Sequence, residues 1–311
     1  MKIDISIVVP VFNEEINITP FLNRVVNSMN EANLTYEVIF CLDPSTDDTE
    51  SRIKQEAEKN AQVKALIFSR RFGQPAASLA GISYSKGSVC AVIDVDLQDP
   101  PELLIPMYKK IKEGYEVVFA KRKSRKGETF IKRKISEFGY WVISKLSDVN
   151  IPRDAGDFRI MTRKVVDEVI RMQDSSAFLR GIVAYVGFQQ AFIEYDRDER
   201  FLGNSKYNRF TGSLKIGING LVGFSSKPLF LMTISGFIFA AFGFLLGLFY
   251  ILQKMFSVEI TPGLPTTVAV VSFFSGIQLL CMGLMGEYIG RIYDEVKGRP
   301  LYIVDRKINC E

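Results

Sequence analysis

The chain has 311 residues, 47 % of them apolar, and a formal net charge of +4. That length allows one large domain or two ordinary ones around a substantial core. Histidine is absent, which excludes Ser-His-Asp and Cys-His catalysis and histidine-ligated metal centres.

The first residues, MKIDISIVVPVF, contain an early apolar run, but Asp4 interrupts it and no small-residue cleavage site follows. They predict a first strand over 5–11 rather than a signal peptide. Further strands are expected over 36–42, 63–68, 88–94 and 116–120. Between them, apolar periodicity predicts helices over 15–32, 47–59, 74–84 and 101–113, the second opened by the capping run Ser45-Thr46-Asp47-Asp48. This alternation implies an α/β fold: a mostly parallel, Rossmann-like sheet with helices on both faces. Ligands of such sheets bind beyond the carboxyl ends of the strands. The chain has no internal repeat and no low-complexity segment. Its four cysteines, Cys41, Cys90, Cys281 and Cys310, form no CxxC pair and read as reduced thiols.

Residues 121–134, KRKSRKGETFIKRK, are the densest basic run. A solvated charged loop is the plain reading. The stretch about 129–146 continues with Ile131, Ile135, Phe138, Val142 and Leu146 on one helical face, which suits a helix lying on anionic lipid with Tyr140 and Trp141 at headgroup level. Nucleic-acid binding is the other reading of such a run; two adjacent apolar spans argue against it. Those spans, 228–252 and 265–286, carry no charged residue. At ~1.5 Å rise per residue each is about 30 Å long or more, enough to cross a bilayer. The alternative is a pair of buried helices in a soluble core. Basic flanks (Lys206, Arg209, Lys215 and Lys227 before; Arg291, Lys297, Arg299, Arg306 and Lys307 after) predict that both ends and the N-terminal region are cytoplasmic. The expected organisation is a cytoplasmic domain over 1–205, a juxtamembrane helix over 206–227, the two spans, and a cytoplasmic tail over 287–311.

Three predicted strands end in acidic or polar groups. The first exits into Pro10-Val11-Phe12-Asn13-Glu14-Glu15, the second at Asp43, the fourth at Asp94-Val95-Asp96. One acidic strand end commonly caps a helix. Three on one sheet edge suggest a site. Carboxylates that close repel unless a cation lies between them, and hard oxygen ligands suit Mg²⁺ or Mn²⁺ holding a diphosphate.

At this point the sequence resembles the glycosyltransferase family 2 enzymes that load a sugar onto a polyprenyl phosphate, such as dolichol-phosphate mannose synthases and bactoprenol glucosyltransferases. The resemblance runs through SIVVPVFNEE (6–15), DVDLQDPPE (94–102), GDFRIMTRKVV (156–166), the Arg-x-x-Gly-x-Ser-Lys segment 200–206 and GEYIGRIYDEVKGRP (286–300), in the family's order. It implies a GT-A-type domain, inverting transfer of glucose or another hexose from a nucleotide sugar, UDP-linked by preference, and undecaprenyl phosphate as acceptor at the cytoplasmic face of the inner membrane. By the same resemblance Pro10, Asn13, Glu15, Asp43, Asp94, Asp96 and Gln98 bind the donor, with Asp96 and Asp94 on Mg²⁺ or Mn²⁺. Asp157 is implied as the catalytic carboxylate, either base or orienter. Arg159, Arg200, Ser205 and Lys206 fall at the phosphates, and the basic residues Arg122, Arg125, Lys126 and Arg133 suit the acceptor phosphate at the lipid surface. Homo-oligomerisation is implied by resemblance alone. Two positions depart from the family pattern: Asp43-Pro44-Ser45 replaces an Asp-Gly-Ser turn, and Phe72-Gly73-Gln74 replaces Phe-Gly-Lys. Proline cannot adopt a glycine's positive φ, so both bear on donor identity more than on reaction type. The rival readings are a polysaccharide synthase, which would usually carry a Gln-x-x-Arg-Trp motif that this chain lacks, and an idle membrane scaffold that keeps the fold.

Overall fold

The computed structural model describes residues 3–122, 155–172, 174, 178–196, 222–223, 225–256 and 263–310. The stretch about 129–146 and the residues Arg125, Lys126, Arg133, Arg200, Ser205 and Lys206 lie outside the described residues.

Three apolar strands form the centre: β1 (Ile5–Val11), β2 (Tyr36–Leu42) and β3 (Val63–Phe68). Every residue of β1 and β2 is buried, as expected of parallel strands covered on both faces. β4 (Val89–Val92) adds to the other side of β1, also parallel. The amphipathic helix α1 (Ile18–Glu31) turns Phe21, Leu22, Val25 and Met29 inward at helical spacing. It shares one core layer with α4 (Leu104–Lys112); α2 (Thr49–Lys59) adds Ile53 and Ala57 to that layer.

The opposite layer holds α3 (Gln74–Tyr84). A Cβ at its Gly81 would stand 2.3 Å from Val8 Cγ1 and 2.6 Å from Cys41 Sγ. The missing side chain is therefore what lets α3 lie close against β1 and β2.

Beyond β4 the pattern changes. β5 (Val117–Arg122), β6 (Ala155–Thr162), α5 (Arg163–Met172), α6 (Leu179–Val186) and β7 (Gln190–Tyr195) follow. β6 inserts between β4 and β5, antiparallel to both, and β7 runs parallel to β5. The eight strands lie in the order β7-β5-β6-β4-β1-β2-β3-β8, the last of them the C-terminal strand Val304–Ile308.

Two long helices come after the sheet, α7 (Lys227–Met255) and α8 (Leu264–Lys297). Their apolar windows are 0 % buried, which removes the reading of a buried soluble-core pair. Phe239 meets Phe274 edge-on across them, ring centroids 5.5 Å apart. α8 runs eleven residues past the sequence boundary at 286, to Lys297. Charge ends an apolar span but does not end a helix; Gly298, at φ +54°, does. The chain then returns to the sheet as β8 (Val304–Ile308), antiparallel to β3. The terminal segment expected as a tail is thus partly helix and partly an edge strand.

Candidate active site

The three acidic or polar exits do share one edge, because β4, β1 and β2 are parallel neighbours. Their side chains divide into two kinds. Asn13, in the left-handed region at φ +54°, ties the β1 exit to the β2 exit. Its N–H donates to Ser45 Oγ (3.0 Å), its Nδ2 donates to Thr46 Oγ1 (3.1 Å), and its Oδ1 accepts from Thr46 N (2.8 Å). Glu15 Oε2 accepts from Asp48 N at 2.8 Å, in front of α2. Both side chains therefore brace the two loops against each other. Pro10 is the penultimate residue of β1 and pairs with Cys41.

Asp43 is buried at the end of β2. Its two oxygens accept the N–H groups of Phe72 and Gly73, each at 2.9 Å. Gly73 takes φ +89°, which an L side chain rarely adopts, so the pair of amides depends on glycine there. The next residue, Gln74, donates Nε2 to Asp94 Oδ1 at 2.8 Å. The β2 exit, the loop before α3 and the β4 exit thus form one connected set.

The acidic run after β4 also divides. Asp96 is buried and accepts the Gln98 N–H at 3.2 Å. Leu97 between them sits at φ +60°, a strained position for a branched side chain. Asp99, fully inside, accepts the Tyr195 hydroxyl and lies 3.8 Å from Arg122 Nη2. Burial, then the Asp99 charge, pushes the Tyr195 hydroxyl well up. Glu102 forms a two-pronged pair with Arg24, at 2.8 and 2.6 Å. Asp99 and Glu102 therefore anchor the segment to β7 and α1, while Asp94 and Asp96 remain at the strand exit.

β6 brings in the second half. Val92 pairs with Arg159 in antiparallel register, so Asp157, two residues before Arg159 in β6, lies at the end of the sheet where β4 exits. Asp157 Oδ1 accepts from Arg159 Nη2 (3.0 Å) and from Arg180 Nε of α6 (2.9 Å). Arg159 is 0 % exposed, and its Nη1 has no hydrogen-bond partner. Burial pulls its guanidinium down to about 10, with the Asp157 and Asp94 charges holding it up. Burial alone would raise the Asp157 carboxyl. The charges of Arg180 and Arg159 and the Arg180 hydrogen bond outweigh it and hold the group below the usual carboxylate range, with Arg122 adding to the effect. Gly156 lies against Arg122, where a Cβ would meet Nη2 at 3.3 Å.

The site therefore presents two carboxylates at one strand exit and three arginines around the third carboxylate facing it. Among the described residues no cluster of three or more cysteine and acidic side chains is placed to hold a metal. Asp94 and Asp96 are hard oxygen donors. They fit Mg²⁺ or Mn²⁺, which take one or two protein carboxylates and complete their shell with water and phosphate oxygens. Arg180 and the amides of Phe72 and Gly73 were not singled out from sequence. Arg180 sits in an ordinary short apolar helix, LRGIVAYV, and backbone amides carry no signal in side-chain patterns.

The family model described as "Glycosyl transferase family 2" matches residues 6–170. An uncharacterized glycosyltransferase, YkcC, of Bacillus subtilis (strain 168) is 44 % identical over 99 % of this chain and 95 % of its own. The SfII prophage-derived bactoprenol glucosyl transferase of Shigella flexneri is 38 % identical over 97 % of each chain. A prophage bactoprenol glucosyl transferase homolog of Escherichia coli (strain K12) is 37 % identical over 97 % of this chain and 98 % of its own. Among solved structures, glucosyl-3-phosphoglycerate synthase from Mycobacterium tuberculosis, crystallised with Mn²⁺, UDP-glucose and phosphoglyceric acid, is 18 % identical. Its TM-score is 0.48, over 71 % of this chain and 79 % of that one. The family match takes in the strand exits and Asp157, and the relatives align almost end to end: the chain belongs to glycosyl transferase family 2 and is a glycosyltransferase.

Proposed function

We propose that this glycosyltransferase moves a hexose, glucose before others, from a nucleoside-diphosphate sugar, UDP-linked before others, to the phosphate of a polyprenyl chain at the cytoplasmic face of a membrane. The observation that carries the reading is the facing of two charge types. An acidic strand exit suited to a metal-bound diphosphate stands opposite Asp157 with Arg122, Arg159 and Arg180. Such a site accommodates a donor diphosphate on one side and an anionic acceptor on the other. The full-length relatives named bactoprenol glucosyl transferases support glucose and a prenyl phosphate. The two exposed apolar helices support an acceptor held in lipid.

The helices also bear on orientation. β8 returns to the same sheet that precedes α7. A chain that leaves its sheet for a bilayer and rejoins it must cross an even number of times, and two spans meet that condition. The basic residues flanking both helices favour the cytoplasm for the sheet.

In the proposed reaction an acceptor phosphate oxygen attacks the anomeric carbon from the face opposite the leaving diphosphate. The new C–O bond forms as the bond to the diphosphate breaks, with inversion. A bound Mg²⁺ or Mn²⁺ on Asp96 and Asp94 would neutralise the leaving diphosphate. Arg180 and Arg159 hold Asp157, and with Arg122 they compensate the acceptor's charge. Asp157 orients these cations more than it removes a proton, because a phosphate monoester with a second pKa of ~6 is already mostly dianionic near neutrality. Arg125, Lys126, Arg133, Arg200, Ser205 and Lys206 keep their proposed phosphate roles on sequence grounds.

The test is transfer by the purified full chain in lipid nanodiscs containing undecaprenyl phosphate, offered radiolabelled UDP-glucose, UDP-N-acetylglucosamine or GDP-mannose. An organic-extractable, acid-labile monosaccharide product from UDP-glucose is expected. A growing polymer, or no lipid-linked sugar with any donor, would overturn the reading.

A further inference from the structure

After α8 the chain passes Leu301, Tyr302 and Ile303 before it becomes β8. These residues run beside the loop that links β3 to α3. Ile303 O accepts the Ser69 N–H at 3.0 Å. The Tyr302 ring lies 6.1 Å from Phe68, and Phe68 meets Phe72 edge-on, also at 6.1 Å. Leu301, Tyr302 and Val304 pack with Phe72 against one core layer. On the loop's other side, Phe72 N and Gly73 N reach Asp43, and Gln74 reaches Asp94. The loop is held between the C-terminal segment and two carboxylates at the strand exits.

We propose that the C-terminal segment is a positioning element of the donor site. Tyr302 and Ile303 fix the Ser69–Gly73 backbone in the conformation that presents its amides to Asp43 and carries Gln74 to Asp94. The functional half of this inference rests on the reading of Asp43 and Asp94 as donor residues; the structural half does not.

A simpler role for the segment is to cover the β3 edge, which would otherwise invite pairing. That role needs β8 and its anchor, where Asn309 Nδ2 donates to Ala57 O and Val63 O, both at 2.9 Å. It does not need Tyr302, which precedes the strand. The loop's dependence on Tyr302 therefore separates positioning from edge protection. An aromatic contact of this kind is worth a shift of about two- to tenfold in a local equilibrium.

The experiment uses the full chain in nanodiscs with two readouts. One is hydrogen exchange at the Phe72 and Gly73 amides. The other is calorimetric binding of UDP, with GDP as the comparison, in the presence of Mg²⁺. Tyr302→Ala should speed exchange at those amides by about two- to tenfold and weaken nucleotide binding by a similar factor. Tyr302→Phe, which keeps the ring, should match wild type in both. Arg306→Ala, which removes only surface pairs with Glu50 and Asp305, should also match. Should Tyr302→Ala not fold, Tyr302→Leu removes the ring but keeps apolar volume, and the same local exchange is expected. Unchanged exchange at Phe72 and Gly73, or a rise spread evenly over the sheet, overturns the positioning role. Faster local exchange with no change in a measurable nucleotide affinity overturns its extension to the donor. A wild-type chain that binds neither nucleotide removes the donor reading, while the exchange result still decides the positioning.

Discussion

Asp157→Asn separates the two jobs open to this carboxylate. The substitution keeps shape and one acceptor but removes the charge. Arg159 then keeps a buried guanidinium without its ion pair, and Arg180 Nε keeps an amide oxygen as acceptor but loses its counter-charge. Breaking a buried pair costs about 3–5 kcal/mol. Asp157 is 37 % exposed, so screening reduces this to about 1–3 kcal/mol of stability. Both arginines are then free to shift, and a displacement of ~1 Å in a positioned group lowers turnover by about 10²-fold. The base reading gives a very different number. With a phosphate pKa of ~6, the acceptor is about nine-tenths dianionic near pH 7, so a base gains only about 1.1-fold there and about twofold near pH 6. A carboxyl held below the usual range is also poorly matched to a proton from that phosphate. The expected result is a loss of about 10²-fold or more in kcat with the variant-to-wild-type ratio flat from about pH 6 to 8.5. The assay is steady-state sugar transfer to polyprenyl phosphate in nanodiscs, with melting checked in parallel. A loss of only about twofold near pH 6 that disappears on the alkaline side would show that proton removal was the main task.

Three further outcomes follow from other parts of the chain. Asp96→Asn should abolish most transfer while the protein still folds, and wild type should lose activity in EDTA and regain it with Mg²⁺ or Mn²⁺; full activity in EDTA would remove the metal role. For orientation, Cys281 and Cys310 are replaced, while Cys41 and Cys90 are buried and their thiols are pushed up by burial, Cys90 to about 12. A cysteine at Ser257 should then react with an impermeant reagent on intact cells and one at Ser124 should not; the reverse pattern refutes the proposed topology. Glu37→Gln tests a buried pair: burial raises the Glu37 carboxyl, but bonds from Lys64 (2.7 Å), Ser6 and the Lys86 N–H hold it below its ordinary value. A depressed carboxyl stabilises above its unfolded pKa and loses that contribution as pH falls through the folded value. The variant should therefore be less stable near pH 7, by about 2–4 kcal/mol, and converge on wild type as pH falls through the depressed folded value; a deficit that does not shrink with falling pH would refute the linkage.

The parallel half of the sheet was legible in the sequence. β1, β2, β3 and α3 match their expected spans end to end, because strands buried on both faces appear as unbroken apolar runs bounded by turns. In the antiparallel half β5 was expected, over 116–120, but β6, β7 and β8 were not predicted as strands. β6 contains Asp157 and Arg159 among its eight residues, so polar side chains interrupt the pattern that marks a strand. β7 lies at the sheet edge with half-exposed residues and carries Glu194. β8, VDRKI, is charged at three of five positions. That composition suits an exposed edge but conceals the strand from an apolar search.

The site shows the same division for a different reason. Asp43, Asp94 and Asp96 were found because their chemistry is written in the side chain and they follow apolar strands; Asp157, inside β6, was found only through the resemblance of its motif. What each of them does depends on partners far away in sequence. Asp94 and Asp99 stand five residues apart in one acidic run, yet one is held by Gln74 of α3 and the other by Tyr195 of β7. Asp157 draws Arg180 from a helix 23 residues further on. The insertion of β6 between β4 and β5 is the step that makes these pairings. It turns a parallel sheet's acidic edge, where like charges would repel, into a facing arrangement where Arg159 is attracted to both Asp157 and Asp94. Without that antiparallel strand the three carboxylates would lack this buried counter-charge. Arg159 is the residue on which the two halves of the site meet, and its full burial follows from that position.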